Sequence, residues 1–485
     1  MTTLVWFRSD LRLADNPALS YAVKSSETVI PVFIWDTNAE RDASQRDAVG
    51  RAHLVWLNRA LPELDASLRE QSSRLILRRG DTLDMLNHLV EELGAEAVVW
   101  NQRYVPALRE RDRQMAQALR GDGLTVTTFA NRLLHEPDAI KTGSGGPYRV
   151  FTPFWRKFQR EVPIAPPRPS PHLGPSKAPD TWPDSDIVAA WGFTARAQDG
   201  VDWATHVREH WTPAEHAAHQ RLDAFLAGPA SGYDVERNRP DRDGSSMLSP
   251  FLHFGHITPR QVWHRVTSWR DADPSRDNAA QVFLSEIAWR EFSYHVLHHY
   301  PDTPSEPLKE KYAAFPWLED ADALTRWQHG ETGYPIVDAG MRQLWATGWM
   351  HNRVRMIVAS FLTKDLLIPW QDGASWFWDT LVDADLANNT MGWQWAAGCG
   401  ADAQPFFRIF NPVSQGTRYD PHGTYVKHWI PALAEVPKKY IHAPWAAPHA
   451  VLRQANVELG TTYPRPMVDH SKARLRALEA LETIK

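Results

Sequence analysis

Residues 51–78, RAHLVWLNRALPELDASLREQSSRLILR, set two periodicities side by side. Leu54, Leu57, Leu61, Leu64 and Leu68 recur at spacings of three and four, which gathers them into one stripe along a helix. The run RLILR at 74–78 that follows has the length and apolar density of a buried strand. The same alternation extends in both directions. LVWF (4–7), VIPVFIW (29–35), AEAVVW (95–100) and LTVTTF (124–129) read as strands, and Leu83, Leu86, Leu89, Val90 and Leu93 mark another amphipathic helix. A βαβα order over residues 1–130 predicts an α/β domain with a parallel, doubly wound, Rossmann-like sheet. No Gly-x-Gly-x-x-Gly follows a strand and no Gly-x-x-x-x-Gly-Lys-Ser/Thr is present, so dinucleotide and P-loop readings lose their main support. GSGGP at 143–147 reads as a turn.

Residues 131–200 read as an interdomain linker, because PIAPPRPSPHLGPSKAPDTWP at 163–183 carries too much proline for regular structure. From 201 to 485 the periodicity is helical, with long segments at 279–300, 335–349 and 352–368, and no internal repeat. A length of 485 residues with 43% hydrophobic content fits two or three domains, each with its own core. The N-terminal MTTLVWFRSDLRL lacks the apolar run of a signal peptide and no membrane-length apolar stretch follows, so a cytoplasmic protein without membrane contact is expected. Cys399 is the only cysteine, which excludes internal disulfides and four-cysteine metal clusters of one chain. Any redox chemistry must come from a bound group. A net charge of −5 neither announces nor excludes nucleic acid, since a basic footprint can be local.

Sixteen of the 23 tryptophans lie beyond residue 200. Most large aromatics simply fill helical cores. Some here keep polar company. Glu286, Trp289 and Arg290 stand at i, i+3 and i+4, as do Asn352, Arg355 and Met356, and DADLANN supplies Asp383, Asp385 and Asn389. Taken alone, each set reads as readily as a surface ion pair. If Arg355 and Asp383 meet away from water, their attraction at about 4 Å is on the order of 4 kcal/mol at an effective dielectric of 20, before desolvation is subtracted. Such a pair suits the task of fixing the charge of a redox-active ring.

The stretches VWFRSDLRLADNPAL (5–19), GSSMLSPFLHFGHITPRQ (244–261), SEIAWREF (285–292), 333–368 and LVDADLANNTMGWQWAAGCGADAQPFFRIFNP (381–412) together resemble the photolyase and cryptochrome family over nearly the whole chain. The resemblance implies an N-terminal α/β antenna domain and an all-α C-terminal domain that binds FAD and the DNA lesion. It implies flavin contacts at Tyr233, Ser245, Ser246, Leu248, Ser249, Phe283, Glu286, Arg290, Asn352, Arg355, Asp383, Asp385 and Asn389. Small hydroxyl residues and backbone N–H groups leading into a helix suit the phosphates. Asn389 matches the position facing the reactive flavin nitrogen, where photolyases carry Asn.

Where enzymes for the 6-4 photoproduct resemble one another in bearing histidines, this chain has Asn352 and Met356, neither of which can do acid–base work. The implied activity is therefore light-driven splitting of cyclobutane pyrimidine dimers by electron transfer from excited reduced FAD, the reaction of a deoxyribodipyrimidine photo-lyase. Glu286, Asn352, Met356, Trp289 and Trp395 are the implied catalytic-pocket residues, walling a dimer flipped out of ultraviolet-damaged DNA. Arg237, Arg353 and Arg408 are implied DNA contacts, and residues 403–440 hold five Lys or Arg against two acidic residues. Trp393, Trp370 and Trp317 match an electron-transfer chain to the flavin. An antenna chromophore is expected, 5,10-methenyltetrahydrofolate ahead of 8-hydroxy-5-deazaflavin, although the family's antenna carboxylate position holds Leu108 here. FLSEIAWREFSYHVL looks nearer to class III than to class I cyclobutane-dimer enzymes. A monomer is expected. A cryptochrome-type blue-light photoreceptor is the alternative, and a dehydrogenase would need the phosphate fingerprint that is missing. His295, His298 and His299 imitate a metal pair on a helix, but no acid or cysteine cluster accompanies them in sequence, so no metal is expected.

Overall fold

The computed structural model describes residues 1–37, 49–193, 203–402 and 408–485. They form two compact units. The first comprises residues 1–148, 152–228 and 246–299, and the second comprises 149–151, 229–245 and 300–485.

In the first unit the expected strands form a five-stranded parallel sheet in the order β3-β2-β1-β4-β5. β1 spans Thr2–Phe7, β2 Thr28–Asp36, β3 Ile76–Gly80, β4 Ala97–Asn101 and β5 Thr125–Phe129. Helices Pro17–Ser25, Arg51–Arg69, Thr82–Leu93 and Pro106–Gly121 lie between strands in the chain order. Leu57, Leu61, Leu64 and Leu68 are buried as the opening stretch predicts, while Leu54 is only half-buried. Helix Thr82–Leu93 starts on the Asp81 side chain, which accepts the backbone N–H groups of Leu83 and Asp84, and stops at Gly94 with φ 58°. The strand order reverses between β1 and β4, the place where open α/β sheets take ligands. There the carboxyl ends of the strands and the following turns line a concave surface that includes Arg8, Asp10, Arg12, Asn101, Arg103 and Arg132 together with Leu252 and Ile257.

Segment 249–256 is laid against the turn after β1. Leu11 N–H donates to the Phe254 carbonyl at 3.1 Å, and the buried Arg12 guanidinium donates to the Gly255 carbonyl at 2.8 Å. Gly255 has φ 71°, and a β-carbon there would stand 2.3 Å from the Ser9 carbonyl oxygen. Glycine is required twice over, by conformation and by space.

The second unit is helical. Its core gathers Trp327, Trp370, Trp393, Phe377, Phe361 and Tyr463 from helices Ala321–Gln328, Asn352–Ser360, Trp370–Thr380 and Leu386–Ala397 and the segments around them. Segment 335–349 forms helix Pro335–Thr347, closed by Gly348 at φ 67°. The helix expected over 352–368 is α-helical only over Asn352–Ser360 and widens into a π turn at Phe361–Asp365. Polar side chains explain the change. Lys364 is fully buried and donates to the Ala397 carbonyl at the end of helix Leu386–Ala397, while Asp365 pairs with His470 at the start of the C-terminal helix His470–Glu482. The wider turn sends consecutive polar residues to two separate partners. No described helix is long and apolar enough to cross a membrane.

Replacing Gly255 with Ala is expected to destabilise the sheet-bearing unit by at least about 2 kcal/mol, since it combines a left-handed backbone with a backbone clash. Denaturant unfolding checks this, and a loss below about 0.5 kcal/mol, the range of a neutral surface change, would contradict it.

Candidate functional site

Helix Leu386–Ala397 organises the second unit's site. Asp385 caps it, accepting from the Asn388 backbone N–H at 3.0 Å and the Asn388 side chain at 2.8 Å. One face meets helix Trp370–Thr380. On that face Asn389 Nδ2 donates to the Ala374 carbonyl at 3.0 Å, and Trp393 packs where Gly373 has no side chain. Because the nitrogen is committed to Ala374, the orientation of the Asn389 amide is settled, and its Oδ1 accepts from no described group. That oxygen can receive an N–H from a bound ring.

Arg355 and Asp383 do meet. The guanidinium Nη2 reaches both carboxylate oxygens, at 3.1 and 2.8 Å, and Nε donates to the Met350 carbonyl at 2.7 Å. The Asp383 side chain is 3% exposed and the Arg355 side chain 24%, so the carboxylate is desolvated and the cation keeps contact with solvent. The Arg355 guanidinium, held by Asp383 and still reached by solvent, is the positive group of this site, and the Asn389 oxygen is an acceptor. His351, which caps helix Asn352–Ser360 by accepting from Arg353 N–H at 3.1 Å, is pushed down to about 3 by burial, with Arg353 and Arg355 adding to it. It is therefore neutral at physiological pH.

The opposite face of helix Leu386–Ala397 carries Trp395. With Met356, Ser360, Ala396, Gly398, Arg408 and Phe410 it lines one concave surface. Beside it lies a cationic cluster. Burial lowers the Arg353 guanidinium, and the like charges of Arg237, Arg418 and Arg408 push the same way. Arg353 stacks over Tyr419 at 4.5 Å and donates to Asn238. The three arginines singled out in the sequence thus come together across 171 residues of chain, 237 to 408. Arg418 joins them and was not singled out. Its signal was present in the basic excess of residues 403–440, of which 403–407 lie outside the described residues.

Trp393 and Trp370 are buried, at 2% and 1% exposure, and Trp317 packs against the same core from its edge. The ring neighbours of Trp393 are Phe377 at 5.0 Å and Trp327 at 6.1 Å, which sequence spacing did not select.

Tyr233, a buried ring with the Arg237 guanidinium 5.5 Å from its centroid, and Ser245 also belong to the second unit. The remaining expected residues belong to the first. Ser246, Leu248 and Ser249 run into helix Ser249–Phe254, with the Ser246 carbonyl held by Arg221 Nε at 3.1 Å. Helix Asp277–His299 presents Glu286 and Trp289 half-buried and buries Phe283. Arg290 is committed within that unit: Nη1 donates to the Arg132 carbonyl at 3.0 Å and Glu291 at 3.1 Å, and the guanidinium lies over Tyr294.

Known proteins match this arrangement. Residues 3–172 match the DNA photolyase family and residues 283–483 match the FAD binding domain of DNA photolyase. The chain is 47% identical to a deoxyribodipyrimidine photo-lyase of Agrobacterium fabrum, over 99% of this chain and 98% of that one. It is 36% identical to cryptochrome-1 of Arabidopsis thaliana, over 99% of this chain and 70% of the relative. The crystal structure of a bacterial class III photolyase from Agrobacterium tumefaciens superimposes with a TM-score of 0.93 at 46% identity, covering 100% of this chain and 97% of that one. The chain belongs to the photolyase/cryptochrome family, with the parallel sheet and helical FAD-binding domain of that family.

Arg353→Ala is expected to weaken binding of ultraviolet-damaged DNA and to reduce the slope of log K against log salt by about 1, as loss of one phosphate contact does. Titrations at two salt concentrations check this; an unchanged slope would remove Arg353 from the DNA interface.

Proposed function

We propose that the chain is a light-dependent DNA repair enzyme, a deoxyribodipyrimidine photo-lyase that splits cyclobutane pyrimidine dimers turned out of the duplex. The observation that carries this reading is the concave surface on which Trp395, Met356 and Arg408 stand together, beside the cluster of Arg237, Arg353 and Arg418. An indole and a thioether wall offers stacking, worth about 1–3 kcal/mol per base, against a flipping cost of a few kcal/mol. The arginines offer phosphate contacts. Met356 and Asn352 supply neither proton donor nor base of the kind the 6-4 adduct needs, which favours the cyclobutane substrate.

Bound FAD would supply light absorption and the electron that the dimer borrows and returns. The chain's own residues hold and tune it. Arg355, paired with Asp383, and Asn389, whose Oδ1 is an acceptor, would hold the ring, Tyr233, Ser245, Ser246, Leu248 and Ser249 would serve the phosphates, and Phe283 and Arg290, on the helix that carries Glu286, would be further contacts. Glu286 and Trp289 are further lesion contacts in this reading, Glu286 as a hydrogen-bond partner of a dimer carbonyl. Trp393, Trp370 and Trp317 form the route by which the flavin is re-reduced. An antenna chromophore, 5,10-methenyltetrahydrofolate ahead of 8-hydroxy-5-deazaflavin, belongs to the reading, and the concave surface at the reversal of strand order is a place for a ligand. The reading includes an antenna domain over 1–130, a linker to 200, a helical domain over 201–485, and a cytoplasmic monomer of class III type.

Illumination of the reduced, purified protein with ultraviolet-damaged oligothymidine is expected to restore thymine absorbance, while a 6-4 photoproduct substrate stays unrepaired. Absence of recovery with the first substrate would overturn the repair reading and leave that of a blue-light photoreceptor.

A further inference from the structure

The short 3-10 turn Pro137–Ala139 brings Asp138 to the last residues of helix Asp277–His299, 160 positions along the chain. His298 Nε2 lies 2.9 Å from Asp138 Oδ2, and His299 Nε2 lies 4.0 Å from Asp138 Oδ1. The three candidate ligand atoms all fall within 4.8 Å of one another. Around a tetrahedral ion with bonds of about 2.0–2.2 Å, ligand atoms stand roughly 3.4 Å apart. Small rotations of these side chains therefore suffice to close the set.

Spacing alone would leave this as an ion pair with a spare histidine, but the spare histidine is unusual. His299 Nε2 is buried and has no hydrogen-bond partner, a state that buried polar atoms seldom occupy. It faces the carboxylate across a gap too long for a hydrogen bond and suited to an ion. The ring is also held in place. His295, fixed by Tyr148 N–H at 3.0 Å and the Pro137 carbonyl at 3.1 Å, packs edge-on against it with centroids 4.6 Å apart.

We propose that Asp138, His298 and His299 form a binding site for one divalent transition ion of the Zn²⁺ type, with water completing the coordination. Two imidazoles and one carboxylate with an open position are a common ligand set for such ions. The ion clamps the turn Pro137–Ala139 to the end of helix Asp277–His299.

Arg109 Nη1 lies 3.0 Å from His298 Nδ1 and can only donate, so without an ion His298 Nε2 carries the proton and donates it to Asp138. When the ion binds, that proton moves to Nδ1 and the exposed Arg109 side chain swings into solvent, so the tautomer changes with no net proton release.

The test is competition titration of the chelator-stripped, FAD-containing protein with Zn²⁺ against a chromogenic chelator. Wild-type protein is expected to take up one equivalent. His299→Gln and Asp138→Asn are each expected to weaken binding at least about tenfold, with FAD content and far-ultraviolet dichroism unchanged; loss of even a supporting partner costs that much at known sites. The exposed His449→Gln is the control and should bind as wild type. Failure of the wild-type protein to bind one equivalent, equal affinity in both site variants, or an equal loss in the control would overturn the assignment.

Discussion

At Gly373 there is no room for a β-carbon: one placed there would stand 2.1 Å from the six-membered ring of Trp393 and 2.7 Å from Leu362. This contact sets the approach of helices Trp370–Thr380 and Leu386–Ala397, and the rest of the second unit's site follows from it. With Trp393 seated against Gly373, Asn389 one turn earlier meets Ala374 and its amide orientation is settled. Trp395, two residues beyond Trp393, is rotated by about 200° around the helix axis. It comes out on the far side, with Met356 and Arg408. One helix thus presents an amide to the proposed flavin, one indole to the protein core and another to the proposed lesion surface.

Charge is handled differently at the two places. Asp383 is buried and answered by the Arg355 guanidinium at 2.8 Å. Arg237, Arg353, Arg408 and Arg418 are set so that their like charges repel, which favours an incoming polyanion. Neither arrangement shows in the net charge of −5. Both are local.

Much of the fold was legible because its signals are local. Each strand named from its apolar run is present within a few residues, and the stripe of Leu57, Leu61, Leu64 and Leu68 is buried. The strand order was not legible, since periodicity carries no information about which strands are neighbours. The π turn at Phe361–Asp365 was hidden for a related reason: Lys364 and Asp365 answer partners at 397 and 470, far outside any local window. The candidate site divides the same way. The spacing of Asn352, Arg355 and Met356 foretold a shared helix, but only the folded chain shows Arg355 on Asp383, Arg418 beside Arg353, and Asp138 at His298 and His299.

The central claim is that helix Leu386–Ala397 separates flavin re-reduction from repair by placing Trp393 and Trp395 on opposite faces. Trp393→Phe tests it most directly, with photoreduction of the oxidised protein and dimer repair by chemically reduced protein measured on the same preparation. The account predicts that photoreduction is abolished while repair per absorbed photon is largely kept. Normal photoreduction in this variant, or repair lost together with it, would contradict the account.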